Sequence, residues 1–379
     1  MSDIYDKYTI PEMYRHEWDA TIIKGYTQPS AHLSQFAMTL PNPHGEYVKM
    51  QMIGKADVHR RKQRHEKKVW TEPKGGERRV YPVMFASSLA LSDDDFVLKG
   101  GLPLDLGTLH DLVTEAAQPY PDRVFLGCVY DEDKRNCVVA EKGDFSPYYN
   151  PTPDEVNAKK HEGQPGGLLG YNRVGRPGEA DYEVAFPQKP LIGGALADYS
   201  VYASSMDGLD IRNTGVIPVN YAREGKNIAD SGLTIEKLRA ARLALTMRYA
   251  IQANEEVCMA ITPWQMEDLL NIEKLQNKDY GFQSLNTGII NKFLNIRFLV
   301  TQDVPIVNIG GKWVRSCPMW KRTAAAFGTW QDSKHEVVKL DDYYDTWVVS
   351  LQFAYGAARR REEDIICVHC DEVDLRALS

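Results

Sequence analysis

Residues 47–58 (YVKMQMIGKADV) and 79–91 (RVYPVMFASSLAL) both read as β-strands, and the stretch between them constrains the whole chain. It carries His59, Arg60, Arg61, Lys62, Gln63, Arg64, His65, Glu66, Lys67 and Lys68, then a Pro73-Lys74-Gly75-Gly76 turn. A compact hairpin needs about two to five connecting residues. This connection of about 20 therefore predicts a long two-stranded arm, which is marginally stable alone. A neighbouring subunit would supply the missing packing, which points to an assembly protein. Arg60, Arg61, Lys62, Arg64, Lys67, Lys68, Lys74, Arg78 and Arg79 hold the densest positive charge in the chain, with Trp70 among them. These ten residues are the candidate intersubunit contacts.

A chain of 379 residues suggests two domains or one large interrupted domain. Hydrophobic residues at 43% and charged residues at 26% are ordinary for a globular protein. A net charge of −7 and a pI near 5.8 argue against general coating of nucleic acid. They leave room for local basic patches. No uninterrupted apolar run is long enough to span a bilayer. The first seven residues, MSDIYDK, lack the basic-then-apolar form of a signal peptide. Assembly in a cytoplasm, with no membrane partner, is the expectation.

The motifs of catalysis and cofactor binding are thin. Cys128, Cys137, Cys258, Cys317, Cys367 and Cys370 are scattered, unlike a disulfide framework. Cys367-Val368-His369-Cys370 matches C-x-x-C, but no second pair exists to complete a zinc site. Its segment reads as a strand, which puts residues i and i+3 on opposite faces, so buried small side chains are expected. Gly166-Gly167-Leu168-Leu169-Gly170 is glycine-rich, yet no strand leads into it and no lysine follows as in a P-loop. It reads as an irregular loop. Asp93, Asp94 and Asp95 read as a solvated turn. Nothing nominates a nucleophile, base and orienting group together. No catalytic residue, cofactor or metal is expected.

Organisation says more. Residues 1–44 read as an extended arm with one short helix at 11–20. Leu102, Leu106, Leu109, Val113 and Ala116 recur at helical spacing after Pro103, and Pro119 and Pro121 end that helix. Twenty of the 90 residues at 141–230 are Gly or Pro, against about 12% on average usage. Long loops and short strands are expected there. Residues 233–254 read as a helix capped by Thr234, with Leu238, Ala241, Leu245 and Tyr249 on one face. Residues 257–261 read as a buried strand, Thr262-Pro263 as the start of a second helix, and 291–301 as a strand; this order suggests a compact α/β subdomain. Trp347, Val349, Leu351, Phe353 and Tyr355 alternate with strict period two. Gly356-Ala357 ends that run, residues 364–370 return as a strand, and 324–330 and 336–340 are shorter candidates.

Several of these stretches resemble tailed-phage major capsid proteins. The helix opening Gly232-Leu233-Thr234-Ile235-Glu236-Lys237-Leu238 is similar to theirs, and Ile261-Thr262-Pro263-Trp264-Gln265 with Leu269-Leu270 to the segment that follows. Asp279-Tyr280, Gly288 and Phe293-Leu294-Asn295-Ile296 resemble the next pattern. Tyr355-Gly356-Ala357-Ala358-Arg359, Glu362-Glu363 and Ile365-Ile366 resemble the closing hairpin, and Gln51-Met52-Ile53-Gly54-Lys55 the strand entering an extended loop. The likeness covers residues 30–130 loosely and 232–372 well.

The resemblance implies an α+β chain of the Hong Kong 97-type capsid fold. An N-terminal arm (1–45) would precede an extended hairpin loop (46–92). A discontinuous peripheral domain of spine helix and sheet (93–130 and 321–379) would flank an axial α/β domain (131–320), elaborated at 141–230. It implies self-assembly in pentamers and hexamers into an icosahedral head shell, in the virion, after assembly in the host cytoplasm. The implied partners are further copies of the chain, a portal, a separate scaffolding protein, a decoration protein, and packaged double-stranded DNA held without sequence-specific binding. No helical prodomain is expected ahead of the arm. Lys67, Lys68 and Lys74 are available for a cross-link, but the default is none. A nucleic-acid-binding module built on residues 59–79 is the alternative, weakened because Trp70 is its only stacking residue.

Overall fold

The computed structural model describes residues 33–53, 75–91, 106–139, 167–170, 172–175, 182–184, 215–221, 230–248, 250–252, 255–272, 290–309, 311–340, 346–361 and 363–378. The helix expected at 11–20, Pro103, Asp93 to Asp95, and Arg60, Arg61, Lys62, Arg64, Lys67, Lys68, Trp70 and Lys74 lie outside the described residues.

The strands are β1 (Met38–Thr39), β2 (Val48–Ile53), β3 (Gly75–Val80), β4 (Val83–Leu91), β5 (Cys128–Asp131), β6 (Asn136–Val139), β7 (Asn172–Gly175), β8 (Tyr182–Val184), β9 (Val216–Ile217), β10 (Val257–Ile261), β11 (Lys292–Phe293), β12 (Ile296–Val300), β13 (Ile306–Ile309), β14 (Lys312–Trp320), β15 (Ala325–Leu340), β16 (Thr346–Arg359) and β17 (Ile365–Cys370). The helices are α1 (Leu106–Ala117), α2 (Tyr120–Leu126), α3 (Ile235–Met247) and α4 (Pro263–Leu270). The mixed α+β class is as the sequence suggested. Two compact units divide the chain, one of residues 1–29, 84–119 and 331–354, the other of 30–83, 120–330 and 355–379.

The larger unit is organised around β14. One edge of that strand pairs with β13 near Arg315 and with β10 at Met319 and Trp320; the other pairs with β17 from Arg315↔Cys370 to Trp320↔Ile365. β10 and β12 are parallel neighbours, from Val257↔Ile296 to Ile261↔Val300. Helix α4 joins them, giving the expected strand–helix–strand subdomain. Every residue of β10 and β17 is buried, so both lack the alternation of a half-exposed strand. Thr234 caps α3 as expected, its hydroxyl accepting from the Lys237 amide at 3.3 Å, and Leu238, Ala241 and Leu245 are buried.

Several expectations are corrected. Residues 79–91 are not one strand: β3 ends at Val80 and β4 begins at Val83, because Pro82 has no amide for a ladder. The partner of β2 is β3, from Val48↔Val80 to Ile53↔Gly75, so Gly75 and Gly76 are strand rather than turn. Helix α3 stops at Met247, short of the expected 254. Residues 291–301 form a hairpin, not a strand. β11 turns into β12 through Leu294 and Asn295, both at positive φ (50° and 61°), the requirement of a tight two-residue turn. The helix that Pro119 and Pro121 were expected to close ends at Ala117, and α2 starts at Tyr120; Ala116, placed on its apolar face, is exposed. Residues 324–330 and 336–340 belong to the single strand β15. Nor does Gly356 end the run of β16. A Cβ there would lie 2.5 Å from the Tyr81 carbonyl oxygen, so the glycine admits a crossing backbone.

In the smaller unit, β15, β16 and β4 lie side by side in that order. Val349, Leu351 and Phe353 are buried as the alternation required, and Phe353 stacks on Phe85 at 5.2 Å between ring centroids.

Candidate assembly surface

The arm does not stand bare. β3 pairs on its second edge with β7, from Glu77↔Gly175 to Arg79↔Arg173, and β7 pairs with β8. The glycine- and proline-rich region thus contributes two strands to a four-stranded sheet, β2-β3-β7-β8. Val80 is fully buried in a cluster with Leu40, Ala326 and Ala358, flanked by Val48, Met50 and Trp330. The missing packing at the root of the arm therefore comes from this chain. The segment from Leu33 to Thr39 is also fastened to its own chain. The Leu33 amide donates to Asp122 Oδ1 at 2.7 Å, Trp320 Nε1 donates to the Phe36 carbonyl at 3.0 Å, and β1 pairs with β15 in parallel.

The two described members of the basic set part company. Arg79 is half-buried on β3, its guanidinium 5.1 Å from the centroid of the Tyr47 ring, a cation–π contact. Arg78 has no exposed surface, and its Nη1 donates to the Arg359 carbonyl at 2.7 Å. As an intersubunit contact Arg78 is corrected: neighbouring residues on a strand face opposite ways, and Arg78 faces inward.

Arg359 is equally buried; its Nη1 donates to the carbonyls of Leu168 (3.1 Å) and Gly170 (2.5 Å). These belong to the glycine-rich loop, which is packed rather than irregular surface. The Gly167 amide donates to Ala357, that of Leu168 to Phe125 and that of Leu169 to Leu126, all between 2.8 and 2.9 Å. At Gly167, with φ of +52°, a Cβ would lie 2.4 Å from the Gly127 nitrogen, so only glycine fits.

Sequence reasoning missed two further buried charges. Arg315 and Glu372 form a two-pronged pair at 2.9 and 2.7 Å. Glu372 also accepts from Thr262 Oγ1 (3.0 Å) and Gln265 Nε2 (2.5 Å), while Arg315 reaches the Val304 carbonyl and Asn136 Oδ1. The network ties the start of α4 to β14, β6 and the C-terminal segment. Lys237 is fully buried, its ammonium donating to the carbonyls of Ser231, Gly232 and His369 at 2.6, 2.9 and 3.0 Å. All three of its protons are used, although burial draws its pKa down. One signal was available: Lys237 lies four residues before buried Ala241, on the apolar side of α3.

All six cysteines are free and buried. Burial pushes the Cys367 and Cys258 thiols up to about 12, so both stay protonated and unreactive at neutral pH. His369, between Cys367 and Cys370, is driven down to about 3 by burial and by the Lys237 charge. Among the described residues no group of His, Cys, Asp and Glu is arranged to hold a metal, and no helix is long and apolar enough to cross a membrane. Among the described residues the exposed large apolar side chains are Met38, Tyr130, Leu243, Met247, Trp264 and Val373 in the larger unit, and Met84, Leu89, Val337 and Val338 in the smaller. Trp264 is held by a 3.0 Å bond from its Nε1 to Asp374. Half-exposed aromatic and aliphatic anchors of this kind suit protein contacts.

Residues 202–372 match a family described as phage capsid protein. No curated protein matches the chain. Its fold is similar to solved capsid structures over nearly its whole length. The capsid structure of the cyanophage P-SCSP1u matches with a TM-score of 0.55 at 12% identity, covering 94% of this chain and 93% of that one. The capsid of Ralstonia phage GP4 matches with a TM-score of 0.56 at 10% identity, covering 94% and 96%. The capsid of a native GTA particle matches with a TM-score of 0.56 at 9% identity, covering 94% and 95%. The resemblance to phage major capsid proteins, first drawn from short motifs, therefore holds in sequence over residues 202–372 and in fold over nearly the full chain, and it is a likeness to structural proteins of the virion, not to enzymes.

Proposed function

We propose that this chain is the repeating subunit of an icosahedral phage head, assembling as pentamers and hexamers into the shell that encloses double-stranded DNA. The observation that carries the reading is the joint one: a capsid family match over residues 202–372 and capsid folds matching more than nine-tenths of the chain. In this reading the Hong Kong 97-type parts are assigned as follows. Residues 1–45 are the arm and 46–92 the extended loop. Residues 93–130 and 321–379 make the peripheral domain, with α1 as its spine helix, and 131–320 make the axial domain.

The mechanism is association. Obligate interfaces commonly bury about 2,000–5,000 Å², and a subunit with an arm and a long loop spreads that area over several neighbours. Many modest contacts then sum to a strong shell in which any one error can still be reversed. Arg60, Arg61, Lys62, Arg64, Lys67, Lys68, Trp70, Lys74 and Arg79 contact acidic surface of adjacent subunits. An acidic chain does not adhere tightly to DNA, which lets a genome enter and leave. The shell forms in the host cytoplasm around a separate scaffolding protein and a portal. Sizing chromatography with electron microscopy of the expressed chain, alone and with a scaffolding protein, is expected to yield icosahedral shells. A small closed oligomer under both conditions refutes the reading.

A further inference from the structure

We infer that Arg78, Arg359 and the loop at residues 167–170 form a clamp that sets the angle of the hairpin arm, so that Arg359 is a positioning residue for shell geometry. The inference rests on the capsid reading for its consequence, but not for its structural basis.

Arg78 sits on β3, opposite Met50 on one side and Val174 on the other. It lies two residues from the root of the arm at Val80. Its Nη1 donates to the Arg359 carbonyl at the end of β16, and the Arg359 guanidinium in turn holds the carbonyls of Leu168 and Gly170. Two residues after Gly170 the chain becomes β7, which pairs back onto β3. Arm, arginine pair, loop and sheet thus close a ring of contacts inside one unit.

The loop cannot slide within that ring. Its amides are bonded on one side to the end of α2 (Phe125 and Leu126) and on the other to β16 (Ala357), and Gly167 meets the Gly127 backbone with no room for a Cβ. A two-stranded ribbon pivots easily at its root. Here a third strand is added, and the added strand is tethered to the body by planar guanidinium groups, whose fixed geometry resists rotation better than an ammonium. Both arginines are spent on backbone carbonyls. A clamp written that way depends on chain path more than on neighbouring side chains. In a shell, a change of angle at the root redirects the β2–β3 ribbon toward its neighbours, and curvature follows.

The test compares amide hydrogen exchange in the unassembled wild-type chain and in Arg359→Gln. The variant is expected to speed exchange at residues 77–79 and 173–175 at least tenfold, while β10 and β17 stay within twofold of wild type. Assembled Arg359→Gln particles are expected to be polymorphic in diameter. Arg78→Gln, which removes the bond to the Arg359 carbonyl and leaves the Arg359 guanidinium on the loop, is expected to show the same local pattern more weakly. Unchanged exchange at the root overturns the clamp. So does equal acceleration in β10 and β17, or failure of both variants to fold, because the pair would then serve the core. Loosened exchange with particles of uniform wild-type diameter overturns the positioning role. If the wild-type chain forms no particles the capsid reading fails, and the exchange comparison still decides the clamp.

Discussion

Removing the Glu372 carboxylate is the sharpest perturbation of the larger unit. Glu372→Ala deletes the acceptor of four hydrogen bonds, two from Arg315 and one each from Thr262 and Gln265. The pair is deeply buried, with side-chain exposures of 6% and 1%. Coulomb attraction in such a pair is largely offset by the cost of desolvating both ions, so its net contribution is small. Losing one partner is different, because the other charge stays buried without its counter-ion; that costs about 3–5 kcal/mol. Arg315 keeps the Val304 carbonyl and Asn136, which favours the lower half of that range. The unfolding entropy is about 0.6 kcal/mol/K for the roughly 290 residues of this unit. The melting temperature should therefore fall by about 5–7 °C. Thermal and urea unfolding should be measured on the unassembled subunit, since association adds apparent stability by mass action. The double variant Arg315→Met with Glu372→Met should recover at least half of the loss. A single-variant cost below about 1 kcal/mol, or a double variant worse than the single, would refute the argument that an orphaned charge dominates.

Phe353→Ala removes a buried ring stacked on Phe85 and should cost about 3–5 kcal/mol in unfolding experiments; near-native stability would show that the ring is not core. The acid side of stability should depend on His369. Its folded pKa of about 3 lies below the unfolded value near 6.5, so the native state holds it neutral. Stability is then complete above pH 6.5 and is lost as pH falls toward 3, by about 3 kcal/mol between pH 7 and 4. His369→Leu should flatten the unfolding profile by that amount, and a variant that keeps the wild-type slope counts against the assignment. Replacing Cys367 and Cys370 by Ala should leave the melting temperature unchanged by a chelator; stoichiometric zinc in washed wild-type protein would overturn their structural role. Replacing Arg60, Arg61, Lys62 and Arg64 by Ser should leave the circular dichroism of the subunit unchanged and impair shell formation. Shells of wild-type yield and melting temperature would make that segment a solvated surface.

Local chemistry was legible wherever a segment's own residues decide its state. The period of two from Trp347 to Tyr355 found β16, the apolar run at 257–261 found β10, and Thr234 and Thr262-Pro263 marked the starts of α3 and α4. The split at Pro82 was legible in principle; the turn at Leu294-Asn295 was not. The first needed only proline's missing amide. The second is concealed because leucine seldom adopts positive φ, so nothing at that position announces a turn.

What the sequence by itself determined is some of the elements, β10, β16, β17 and the starts of α3 and α4, together with the α+β class and the family resemblance, because propensity, capping and period act over a few neighbouring residues. Only the tertiary structure decided the pairings and the fate of the charges. β3 takes as its second partner a strand almost a hundred residues away, and strand pairing is a backbone interaction that leaves little trace in side chains as polar as Glu77 and Arg79. The burial of Arg78, Lys237, Arg315, Arg359 and Glu372 does not follow from local sequence, since a charge is buried only where partners converge on it. Those partners, three carbonyls around Lys237 or four donors around Glu372, come from distant segments, and only folding brings them together.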